Sequence, residues 1–335
     1  MKKILIDKNQ NSYKANLHCH TTVSDGRWTP EEVKEEYKKH GYSVVAYTDH
    51  DVLIPHGELK DDTFLPLNGF EAEILSRWEP FPKSPRCCHI CYIALEEDNL
   101  TQPLWHREKY LFANAVNYKD KVKFDESEPD FERHYTPECI THMMREGREK
   151  GFFVTYNHPA WSMEDYSDYI RYDGMHAMEM CNYGCVVEGY PEYNARVYDD
   201  MLRSGKRIYC IDADDNHNQL KDSFGGFTVI KADKLEYRAI TRSLESGNFY
   251  ASQGPEICEL SYEDGKVHVT SSPASRIFCI FGMQRGGYAA AEPGSSITEA
   301  TFRLVGDETY FRITVVDAAG NKADSNAYFL DELTK

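Results

Sequence analysis

Between Tyr13 and about Ser252, short apolar runs alternate with capped helical segments. That alternation is the strongest constraint on what this chain can fold into. Thr29-Pro30-Glu31-Glu32 has the form of a capping box, with Thr29 as N-cap and Pro30 in the first helical position. The helix it opens should run to about His40 and stop at Gly41. Ser43 to Thr48 then reads as a buried strand, and Leu65 to Ile74 and Cys87 to Leu95 as further strands. Thr136-Pro137-Glu138 opens a second helix that Gly151 closes, before a strand from Phe152 to Tyr156. His176 to Met180 is a strand, Tyr190 to Ser204 a helix, and Arg207 to Ile211 and Gly226 to Lys231 are strands. Lys234 to Glu245 is a last helix, ended by Gly247. This βαβα order predicts an α/β fold with a parallel sheet, helices outside it and enough strands for a closed or nearly closed barrel. The stretch 100–135 is polar and aromatic without clear periodicity, and reads as an insertion, in the position of a lid.

The pattern changes after Gly254-Pro255. Val267 to Val269, Ile277 to Phe281, Thr301 to Val305, Tyr310 to Val316 and Ala327 to Leu330 read as short strands. Turn signals such as Glu263-Asp264-Gly265 separate them, with no helical period between. The expected division is therefore an α/β domain over residues 1–254 and a small all-β, sandwich-like domain over 255–335.

Composition narrows the partners. The chain has 335 residues, ample for a sizeable core, and a net charge of −17, which disfavours non-specific attraction to DNA or anionic membranes. It does not disfavour a small anionic substrate held by divalent cations. Ten cysteines are scattered through both halves of the chain, the usage of reduced, buried thiols. The apolar run after Met1-Lys2-Lys3 ends after three residues, far short of a signal sequence, and no segment reaches membrane-spanning length. A cytoplasmic location is the expectation.

His18 and His20 stand two residues apart, so an extended segment turns both imidazoles the same way. Asp25 follows on a turn. The sulfur of Cys19, between them, should point into the core. Further candidates sit at predicted strand ends: His50 in Asp49-His50-Asp51, Glu71 after Gly69-Phe70, His158 in Asn157-His158-Pro159, and Asp215 and His217 in Asp215-Asn216-His217. His89 lies near the start of its strand and fits this rule less well. In an α/β barrel the C-terminal strand ends converge on one face, which would gather six histidines and three carboxylates. Nine donors exceed the four of a single zinc and suffice for two or three ions sharing a carboxylate; imidazole with carboxylate suits zinc, iron or manganese.

In order and local wording, His18-Cys19-His20, Ser24-Asp25-Gly26, Thr48-Asp49-His50, Gly69-Phe70-Glu71, His89, Asn157-His158-Pro159 and Asp215-Asn216-His217 resemble the successive motifs of the PHP (polymerase and histidinol phosphatase) metallohydrolases. The resemblance covers about residues 13–252. It implies a distorted seven-stranded (β/α)7 TIM-like barrel with two or three divalent ions, in the manner of stand-alone trinuclear members. It also implies a distribution of ligands: one ion on His18, His20, Glu71 and Asp215, a second on Glu71, His89 and His158, and a third on Asp25, His50 and His217. The C-terminal segment, with its junction Tyr250-Ala251-Ser252-Gln253-Gly254-Pro255, is similar to the sandwich in a carbaryl-hydrolase-like branch of these proteins. The region between His89 and His158 matches no family motif. Asp212, Asp214 and Asp215 crowd the last one, so the choice of Asp215 rests on the Asp-x-His spacing.

The expected function is a metal-dependent phosphoesterase acting on a small phosphate monoester or diester, a nucleotide or short oligonucleotide included. The attacking hydroxide would be held by the ions on Glu71 and Asp215. Arg27, Arg107, Arg133, His134 and Arg171 are candidate phosphate contacts, each more simply read as an ordinary surface charge. The alternatives are a metal-dependent hydrolase of a non-phosphate ester, amide or carbamate, and a catalytically inactive binding module; a full ligand set speaks against the last.

Overall fold

The computed structural model describes residues 2–76 and 86–333. In chain order the strands β1 (Lys3–Ile6) and β2 (Asn11–Asn16) precede α1 (Pro30–Lys39), β3 (Val44–Tyr47), β4 (Leu65–Leu75) and β5 (Cys87–Ala94). Then come α2 (Pro137–Glu149), β6 (Phe152–Tyr156), α3 (Tyr166–Tyr169), β7 (Ala177–Asn182), α4 (Tyr183–Val187), α5 (Ala195–Arg203), β8 (Tyr209–Ala213), β9 (Phe227–Ala232), α6 (Tyr237–Ser246) and β10 (Phe249–Ser252). The remainder is β-rich: β11 (Ile257–Glu263), β12 (Lys266–Ala274), β13 (Arg276–Phe281), β14 (Gly286–Ala290), β15 (Ile297–Arg303), β16 (Tyr310–Val316), β17 (Lys322–Ser325) and β18 (Tyr328–Phe329), before α7 (Leu330–Leu333). Among the described residues no helix is long and apolar enough to cross a membrane.

Local signals place α1 where the sequence does. Thr29 Oγ1 accepts from Glu32 N at 3.2 Å, the Glu32 carboxylate accepts from Thr29 N at 2.8 Å, and Gly41 takes the left-handed conformation past the helix end. The helix expected from Tyr190 starts later, at Ala195. Pro191 disfavours a helical Tyr190, and the Glu192 carboxylate is engaged elsewhere, accepting from Ala160 N and Trp161 N.

The sheet is mixed rather than parallel. Its path runs β10-β9-β2-β3-β4-β5-β6-β7-β8, nine strands where seven were expected. The β2–β3, β3–β4, β6–β7 and β7–β8 ladders are parallel, but β5 is antiparallel to both its neighbours, and β9 to both of its own. The path curls without a closing ladder: among the described residues none joins β8 to β9 or β10. Asn326 spans that seam with its side chain, accepting from Cys210 N at 2.9 Å and donating to the carbonyls of Gly247 and Phe249 at 3.0 Å.

Strand alternation divides the space inside this curl into two levels. Ala15, Val44, Ala46, Leu65, Leu67, Ile93, Phe153, Ala177, Ile211, Ile230 and Phe249, drawn from every strand of the path, form one buried apolar cluster. Further along the same faces, at even spacings, the side chains become polar: Glu71 and Glu73 on β4, Cys91 and His89 on β5, Thr155 on β6, and Glu179 on β7.

The β-rich remainder continues the sheet, since β17 pairs with β10 and β16 and β13 follow. A second sheet, β1-β11-β12-β15, includes the N-terminal strand. One apolar cluster runs from Leu260, Val269, Ile277, Phe302 and Ile313 of these layers to Val33 and Tyr37 of α1 and Val45 and Tyr47 of β3.

Candidate metal centre

The polar level converges on Glu71, whose side chain is 1% exposed. Its Oε1 lies 3.1 Å from His18 Nε2 and His89 Nδ1 and 3.5 Å from His158 Nε2; its Oε2 lies 3.3 Å from His20 Nε2 and His50 Nδ1. Asp215 Oδ1 lies 3.1 Å from the Nε2 atoms of both His18 and His20. Asp25 faces His217 at 3.2 Å and His50 at 3.8 Å. All nine expected residues thus stand together. Their ligand atoms fall into groups within 4.8 Å of one another: His20, Asp25, His50 and His217; His18, His158 and Asp215; His50, Glu71 and His89; and His18, Glu71 and Cys91. This partition differs from the one the resemblance implies: His20 groups with Asp25, and Asp215 joins His18 and His158. The clusters can coordinate two or three divalent ions.

The reversal of β5 explains His89. In an antiparallel strand the residues near the start lie level with the ends of the parallel neighbours; His89 pairs with Glu73 and Cys91 with Glu71. The three aspartates also separate. Asp215 (φ 52°) turns to the histidines. Asp214 accepts from the backbone N–H groups of Phe224, Gly225 and Gly226 and from Tyr37 Oη, anchoring the 224–226 turn. Asp212 lies in the β8 seam, neither carboxylate oxygen hydrogen-bonded among the described residues. Gly26 is required by space: a Cβ there would lie 2.5 Å from His20 O. Cys19 packs in the apolar cluster of Val33 and Tyr37, away from the ligands.

Around the ligands stands a set of acceptors that hold them in place. Glu179, fully buried, accepts from His18 Nδ1 at 2.7 Å, from His158 N at 2.8 Å and from Asn182 Nδ2 at 2.9 Å. Asp49 accepts from Thr21 N, Thr21 Oγ1, Ser24 N and Ser24 Oγ, shaping the turn that carries Asp25. Ser162 Oγ lies 3.1 Å from His158 Nδ1, and Glu73 Oε2 3.1 Å from His89 Nε2. Such partners fix the tautomer and orientation of ligand histidines.

Burial pushes the Glu71 carboxyl up, but the rings of His18, His89 and His158 hold it well below the usual carboxylate range. Burial and His20 push the His50 imidazole down to about 3, leaving it neutral. Among the described residues, His50 Nδ1, His89 Nδ1 and Asp215 Oδ1 are buried and face other ligand atoms at 3.1–3.3 Å without an aligned hydrogen bond. Unpaired buried donors and acceptors of this kind are costly, and imidazole nitrogens and carboxylate oxygens converging on common points are the donor set of zinc, iron or manganese. The residues fit such ions.

A cavity of about 510 Å³ opens above the ligands, lined by Arg27, Glu73, Phe112, Trp161, Glu188 and Leu220 among others. The Trp161 ring stands 5.0 Å from that of His158 and 5.4 Å from that of His89, and Phe112 stands 5.4 Å from His50. Of the five expected phosphate contacts only Arg27 lines this cavity. Arg107 pairs with Asp130 and stacks on Phe124 beside a separate cavity. Arg133 is tied to Asp51 Oδ1 and Glu73 O, His134 is exposed outside the cavity, and Arg171 donates to Ser167 O on the surface. The long-range pairs Glu71–Cys91 and His18–Glu179 escaped the sequence reading, although Cys91 stands two residues from His89 on one strand face. Trp161, three residues past His158, had no periodic signal.

No family model matches the chain, and no curated protein matches it. Several solved structures are similar to it at low identity, two of which bear on the site. One is a two-domain protein from Bacteroides vulgatus containing a predicted PHP-like metal-dependent phosphoesterase: 15% identity, 98% of this chain and 97% of that one covered, TM-score 0.46. The other is an amidohydrolase from Chromobacterium violaceum: 16% identity, 61% of this chain and 87% of that one, TM-score 0.38. Likenesses this distant assign neither a family nor an activity to this chain.

Proposed function

We propose that this chain is a metal-dependent phosphoesterase that hydrolyses a small phosphate monoester or diester. The convergence of six histidines and three carboxylates beneath one open cavity carries this reading, and the order of the sequence motifs supports it. His18, His20, Asp25, His50, Glu71, His89, His158, Asp215 and His217 would hold two or three divalent ions. Neighbouring ions acidify a shared water and neutralise charge on a phosphate. The protein supplies the rest. Glu71, with its two oxygens facing different histidines, joins the groups into one unit. Arg27, whose side chain has no hydrogen bond or ion pair among the described residues, is free to meet a phosphate oxygen at the rim. Trp161 and Phe112 shield the ligand rings from bulk water, and the carboxylates of Glu73 and Glu188 on the wall repel a second anionic group. That last feature favours substrates with a single phosphate.

Glu71→Gln should lose at least one ion and nearly all turnover, because a neutral amide cannot replace a carboxylate shared between groups. Elemental analysis together with assay on p-nitrophenyl phosphate, bis-p-nitrophenyl phosphate and a naphthyl carbamate tests the reading. Turnover of the carbamate alone would assign a non-phosphate hydrolase, and wild-type metal content in Glu71→Gln would remove Glu71 from the ligand set.

A further inference from the structure

The floor of the centre holds a group that the motifs do not include. Cys91 follows His89 by two residues on β5 and lies directly opposite Glu71 in the antiparallel register, so both side chains leave the same face of the sheet. It is fully buried. Cys19, Cys88, Cys210 and Cys279 each belong to one of the apolar clusters, whereas Cys91 belongs to none. Its neighbours are polar: its sulfur lies within 4.8 Å of ligand atoms of His18 and Glu71.

The amide of Asn157 defines the role of that sulfur. Thr155 Oγ1 donates to Asn157 Oδ1 at 2.7 Å, which turns the amide nitrogen toward β5. That nitrogen donates to Glu71 Oε1 at 2.9 Å and to Cys91 Sγ at 3.1 Å. The sulfur therefore accepts beside a carboxylate, at a separation ordinary for an N–H···O bond and short for the larger sulfur atom.

The geometry points to Cys91 as a sulfur ligand of the ion held by His18 and Glu71, a position that thereby prefers zinc or another thiophilic ion to manganese or magnesium. The inference rests on the metal reading above and deepens it. On loading, the S–H bond breaks, the sulfur–metal bond forms and the proton passes to solvent; no electron is transferred. Thiolate donors favour zinc, whereas carboxylate and other oxygen donors suit manganese and magnesium.

X-ray absorption at the zinc edge of the zinc-loaded chain tests it. A sulfur shell near about 2.3 Å is expected in the wild type. It should vanish in Cys91→Ser and persist in Cys185→Ser, whose thiol lines the same cavity. Cobalt loading gives a second readout: the sulfur-to-cobalt charge-transfer absorption should follow the same pattern. Bound zinc with only nitrogen and oxygen neighbours in the wild type would overturn the inference and leave the metal reading standing. A sulfur shell lost in Cys185→Ser would overturn it too, even if Cys91→Ser fails to fold. A chain that binds no metal would sink both readings.

Discussion

Glu179 shows how one buried side chain sets the quality of a ligand. It fixes His18 through Nδ1, leaving Nε2 for the centre, and through His158 N it holds the backbone of a second ligand at φ 25°. Removing such a partner lowers metal affinity by about 10–100-fold. Glu179→Gln should do so with little change in fold; chelator competition measures it, and unchanged affinity would reduce Glu179 to a structural role. A second buried carboxyl, Glu164, lies outside the centre, where Tyr135, Tyr156 and Tyr172 all donate to it. Burial pushes it up to about 7 against the pull of those hydroxyls. Between its unfolded value and about 7 the folded protein therefore holds an extra proton, so this group's stabilisation is present at low pH and fades as pH rises through that window, by about 3 kcal/mol at most. Glu164→Gln should remove that slope. Urea midpoints of the two metal-free proteins at pH 5 and pH 8 check it, parallel behaviour being the refuting result.

At the scale of elements, the segment 100–135 holds the two turns that carry Asp25 and His50. Its Trp105, Ala115 and Val122 form an apolar cluster with Val23 and Val52, which flank Asp25 and His50. Asn114 N donates to Ser24 O, Gln102 Nε2 to Asp51 O, and Arg133 forms a buried ion pair with Asp51. Arg133 is thus spent on structure and not on phosphate. Removing one partner of a buried pair strands the other charge, at a cost of about 3–5 kcal/mol. Arg133→Met should cost that much, and Arg133→Met with Asp51→Asn markedly less; an additive double mutant in denaturant unfolding would contradict that pairing. These examples mark what a sequence discloses. The donors His18, Glu71, His158 and Asp215 were legible because strand ends in an α/β order share a face. Local chemistry, such as the Thr29 box and Gly41, placed α1. The stretch 100–135 was opaque because its order comes from contacts with Val23 and Val52, far off in sequence and without a period. The reversal of β5 was opaque as well, since a strand buried along its whole length reads alike in either direction.

Over the whole molecule, the curl of strands and the β-rich segment complete each other. The seam between β8 and β10 is bridged by Asn326, just past β17; β10 continues into β17; and one apolar cluster runs from α1 into the second sheet. The seam matters to the centre because Asp215 and His217 leave β8 directly beside it. Without Asn326, Cys210 N and the carbonyls of Gly247 and Phe249 would lose their partners in a buried place, each costing about 1–3 kcal/mol. Asn326→Ala should therefore lower the unfolding midpoint while leaving the chain folded. A chain ending at Gln253 loses in addition the β10–β17 ladder and half of the shared cluster. It should show no cooperative thermal transition and bind no metal with the affinity of the full chain. Calorimetry and metal titration of the two variants decide this: a truncated chain that melts cooperatively and takes up the full metal complement would show that the curl of strands closes on its own.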